Sequence, residues 1–63
     1  MTADQLVKGV RVWSWWRHEL LLFTGNVRKN NPDNFLFQFE NFGDCLVWVP
    51  EDLICELEYR ADR

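Results

Sequence analysis

A chain of 63 residues makes one domain and no more, and at this size only about 60% of the unfolded surface is buried, so the core is marginal. A formal net charge of −3 argues against a nonspecific nucleic-acid binder, whose affinity comes from Lys and Arg neutralising phosphates, and suits a basic partner. No apolar stretch approaches the ~20 residues of a membrane span, and residues 1–7 lack the charged start and apolar run of a secretory leader.

Residues 1–7 are polar and carry no strand pattern, so they read as a disordered lead or a remnant outside the fold. Residues 10–16 (VRVWSWW) are β-branched and aromatic and read as a first strand. The two-residue period puts Val10, Val12 and Ser14 on one face and Trp13 and Trp15 on the other. Arg17, His18 and Glu19 make a polar turn. Residues 20–28 (LLLFTGNVR) form a second strand, in which Gly25 predicts a bulge or sharp bend. Residues 29–34 (KNNPDN) are a strong turn signal. Residues 35–40 (FLFQFE) alternate cleanly and put Phe35, Phe37 and Phe39 on one face of a third strand. A tight turn at residues 41–44 leads into a fourth strand at residues 45–49 (CLVWV). Pro50 ends that strand and opens a helical turn near residues 51–53. Residues 53–57 (LICEL) predict a short fifth strand, and the tail at residues 58–63 is expected to be frayed or helical. Four to five short antiparallel strands spaced about ten residues apart predict an all-β fold, a small barrel or sandwich, over residues 8–57.

Four Trp, five Phe and one Tyr are a heavy aromatic load for this length. A small barrel has few inward positions, so some rings are expected to face outward and mark an interaction surface. By parity Trp13, Trp15 and Trp48 lie opposite the core and form a candidate partner surface. Two cysteines and an isolated His18 cannot complete a structural zinc site. With no CxxC motif Cys45 and Cys55 read as free thiols in a reducing, intracellular setting, with a disulfide between the two as the alternative. No phosphate-binding loop, nucleophile triad or pair of catalytic acids can be assembled, so the chain is read as a non-enzyme without a cofactor.

The order of features resembles that of a known family. A strand ending in Trp precedes a strand of aromatic-x-Gly form; an F-x-F-E-N strand follows, then a turn into a strand ending in EDL. The stretch GVRVWSWWRHELLLFTG, Gly9 to Gly25, resembles the first two strands of the Tudor domain in checkpoint-mediator proteins of the DNA damage response. FQFENFGDCLVWVPEDLI, Phe37 to Ile54, is similar to that group and to the Tudor of Jumonji-type lysine demethylases.

The resemblance implies an SH3-like β-barrel that binds methylated lysine on a histone tail in the nucleus, through an aromatic cage. By position the cage residues are Trp16, Phe23, Phe39 and Asn41, with Phe42 in the following turn. Here Phe42 precedes Gly43, whereas the family turn places the aromatic after the Gly. A one-residue register slip would exchange Trp15 for Trp16. Glu19, Glu40 and Asp44 are candidates for an acidic rim that accepts a remaining ammonium N–H. The tandem arrangement of such domains implies a second Tudor-like domain or a second copy as a partner for the surplus Trp, and a protein–protein interaction or dimerisation module with an incomplete cage is the alternative function.

Overall fold

The computed structural model describes residues 1–60. The β-branched and aromatic runs form five strands: β1 (Arg11–Ser14), β2 (Glu19–Arg28), β3 (Asn34–Phe39), β4 (Leu46–Pro50) and β5 (Leu57–Tyr59). A one-turn helix, α1 (Glu51–Ile54), joins β4 to β5, and its first turn carries Glu51 and Asp52 where the exposed N–H groups favour negative charge. All pairings are antiparallel, in the order β4-β3-β2-β1-β5. The sheet does not close on itself. β4 and β5 are its two edges, so the barrel expected from the sequence is observed as an open five-stranded sheet.

Alternation assigns the two faces. Val10, Val12, Leu21, Phe23, Phe35, Phe37 and Val49 point inward and form the core together with Ile54 and Leu57. β2 bends where the sequence predicts. Its register against β3 shifts between Phe23 and Val27, and Gly25 there adopts φ +93°, a conformation that costs a side chain with a Cβ.

Three expectations are corrected. Residues 1–7 are not a loose lead: Ala3–Gln5 form a 3-10 turn, and Met1, Ala3 and Leu6 pack against the core. The fifth strand is not residues 53–57. The helix runs through Ile54, and Ile54 and Leu57 are both buried at a spacing of three, which a helical turn provides and a strand does not. The tail expected at residues 58–63 is neither frayed nor helical as far as it is described: Glu58 and Tyr59 belong to β5, and the Arg60 N–H bonds the Arg11 carbonyl at 2.9 Å, while residues 61–63 lie outside the described residues.

Candidate functional site

Two turns come together at one end of the sheet. The β1–β2 turn, residues 15–18, closes with the His18 N–H on the Ser14 carbonyl at 2.8 Å, and His18 takes φ 56° to do so. This turn carries Trp16, which is 41% exposed. The β3–β4 turn closes through Phe42 N–H on the Phe39 carbonyl at 3.3 Å and Cys45 N–H on the Phe42 carbonyl at 2.8 Å. It carries Asn41, Phe42 and Asp44, all exposed, with Phe42 at 56%. The register fixes the two turns side by side, because Leu21 pairs with Phe39 and the Glu40 N–H bonds the Leu20 carbonyl at 2.9 Å.

Phe39 is half-buried at the end of β3, where the inward face of the sheet reaches solvent. The Arg17 guanidinium lies over its ring, 5.1 Å from the centroid. Among the described residues, none of Trp16, Phe39 and Phe42 stacks on another. The three rings thus share one end of the molecule, and a cation already sits on one of them.

Two sequence-predicted members do not join this surface. Phe23 is 5% exposed and packs on Phe37 at 5.3 Å and on Phe35 at 6.1 Å between ring centroids. It lies two residues further along β2 than Leu21, directly opposite Phe37, so it is a core residue with no open ring face. Glu40 follows Phe39 and by alternation lies on the opposite face, where the Arg11 guanidinium binds its carboxylate through Nε at 2.5 Å and a second nitrogen at 3.1 Å. Such a bidentate pair commits Glu40 to Arg11. Glu19 opens β2 on the same face as Leu21 and is half-buried, so it and Asp44 are the acids left near the ring-bearing end.

The three other Trp lie on the outer face as parity predicts, but in two places. Trp13 meets Trp15 edge to face at 5.7 Å, and Trp15 donates from its indole nitrogen to Glu58 at 3.1 Å. Trp48 stands at the opposite edge, on β4, with the Arg28 guanidinium 4.4 Å from its ring centroid. Clefts of about 290 and 310 Å³ lie elsewhere, where Gln5 faces Tyr59, and hold none of the predicted residues. Cys45 and Cys55 are free and exposed, and no grouping of His, Cys, Asp and Glu among the described residues could hold a metal ion.

Sequence reasoning missed Arg17 and Arg11. Arg17 was legible only as the polar neighbour of Trp16, and its reach to Phe39 depends on the turn geometry. Compared with protein-family models, with curated proteins and with solved structures, the chain matches none of them.

Proposed function

We propose that the chain is a reader of methylated lysine, a Tudor-type module of the SH3-like barrel class, which takes a modified histone tail in the nucleus. Its ligand site is the surface between Trp16, Phe39 and Phe42. The observation that carries this reading is Arg17 over Phe39: the ring face is reachable from outside and already attracts a cation. A methylated ammonium keeps its charge, loses hydrogen-bond donors and gains methyl surface, so aromatic faces suit it better than they suit unmodified lysine. Each ring contributes about 0.5–2 kcal/mol according to how well it is desolvated. With Phe23 withdrawn into the core, the cage is a three-ring surface, and weak, micromolar-range binding is expected. Glu19 and Asp44 favour a basic tail, mainly through the association rate.

The test is a titration of methylated and unmethylated histone-tail peptides, followed by amide and indole N–H shifts. Methyl-dependent shifts at Trp16, Phe39 and Phe42 are expected. Trp16→Ala and Phe39→Ala should each weaken binding by roughly two- to thirty-fold. Shifts that ignore methylation would overturn the reading. A second reading, an interaction or dimerisation module with an incomplete ring cluster, is favoured by the burial of Phe23 and the exposure of Trp15 and Trp48; it predicts sedimentation above monomer mass and no response to methyl-lysine.

A further inference from the structure

The edge strand β4 has an unusual combination of backbone and side-chain exposure. The Phe39 N–H bonds the Cys45 carbonyl at 3.0 Å, and the Glu51 N–H bonds the Asp33 carbonyl at 2.8 Å. These two bonds set the antiparallel alternation: Cys45, Val47, Val49 and Glu51 turn their backbone groups toward β3. Leu46 and Trp48 therefore turn their N–H and C=O groups outward, along the free edge. Their side chains are also the exposed ones, at 56% and 38%. Native edges are usually blunted by a charge, a bulge or an early proline. Here Leu46–Pro50 contains no charge, pairs with β3 without a register shift, and reaches its proline only at the last residue.

Charge decides what fits this edge. Exposed Asp44 precedes it and exposed Glu51 and Asp52 follow it. A second copy added by a two-fold axis would bring its own Asp44 beside Glu51 and Asp52, like charge against like. A strand with an apolar centre and basic ends meets opposite charge at both ends instead. Arg28 over Trp48 requires the residue beside Trp48 to be apolar rather than basic.

We infer that β4 is a docking edge for an extended peptide with two alternating apolar residues between basic flanks, which adds antiparallel as a sixth strand. The peptide's apolar residues exchange backbone hydrogen bonds with Leu46 and Trp48 and lay their side chains beside theirs on the outer face, while its basic ends face Asp44 and Glu51–Asp52. This edge and the ring-bearing end are separate sites, and the inference does not depend on methyl-lysine recognition.

The probe is the synthetic peptide Lys-Arg-Thr-Thr-Ile-Thr-Ile-Thr-Lys, titrated into the full chain while amide shifts and hydrogen exchange are followed. The expected result is saturable shifts and slowed exchange at the Leu46 and Trp48 amides. N-methylation of the two peptide Ile residues should abolish binding, and replacing the peptide's Lys and Arg by Glu should weaken it at least tenfold. Because these changes are made in the peptide, the fold of the protein is untouched. Binding that persists with the N-methylated peptide, or shifts confined to Trp16, Phe39 and Phe42, would overturn the inference. So would concentration-dependent shifts at Leu46 and Trp48 without peptide, which would make a second copy the occupant. Phe39→Ala should leave this binding unchanged, which separates its failure from that of the methyl-lysine site.

Discussion

Arg17 occupies the ring face that the proposed methylated lysine would need, so on that proposal the two cations would compete. Removing the side chain frees Phe39 and also removes a positive charge from the approach of a basic tail. Arg17→Ala is therefore expected to tighten binding of a trimethyl-lysine peptide by roughly two- to tenfold, the reverse of the effect expected of Trp16→Ala, as measured by calorimetry on the same peptide. Ser14 poses the opposite problem. Its side chain is fully buried on the inward face of β1, and its hydroxyl has no hydrogen-bond partner among the described residues. A buried polar group left unpaired costs about 1–3 kcal/mol, so Ser14→Ala should be neutral or should raise stability by about 1 kcal/mol, read as a higher urea midpoint at constant slope.

At the scale of elements, alternation was the readable signal. Val12 and Ser14 inward with Trp13 outward, and Phe35 and Phe37 inward with Leu36 outward, follow from the two-residue period alone. Depth does not follow from it. Phe23 and Phe39 share the inward face, yet one is walled in by Phe35 and Phe37 while the other stands at the end of its strand. The period cannot say where a strand runs out of neighbours, and that is why the face shared by Phe23 and Phe39 was legible but the burial of Phe23 was not. The bulge was readable because glycine leaves a mark. At φ +93°, with the side chain of Lys8 at 3.4 Å from where a Cβ would stand, Gly25→Ala is expected to cost about 1–2 kcal/mol in urea unfolding.

For the whole molecule, the lesson concerns closure. The first four strands were legible, since the hairpin turns announce themselves in residues 29–34 and 41–44. Closure was not, because it depends on whether β4 and β5 meet, and nothing in either short strand encodes the distance between them. The opening residues were misjudged for a related reason: Met1, Ala3 and Leu6 show no strand period, but an open sheet leaves apolar surface that scattered small and large groups can cover. The N-terminal ammonium also reaches the Leu57 carbonyl at 3.3 Å. Deleting residues 1–6 is thus expected to lower stability by about 2 kcal/mol, a large share for so small a core, with a matching fall in thermal midpoint by circular dichroism.

The strand order also dictates a sequence in time. β1 to β4 form a meander in which each strand pairs with its neighbour in the chain, so these contacts close short loops. Among the strand pairings of the described residues, only β5 on β1, pairing Tyr59 with Val12, joins distant parts of the chain. Short loops are cheap to close and long ones are not. The meander is expected to assemble first and to open last. Native-state hydrogen exchange should show this as early exchange at Arg60, whose N–H is held by Arg11, and late exchange at Leu21 and Phe37. The hairpins that carry Trp16 and Phe42 would then stay formed while the β5 seam breathes.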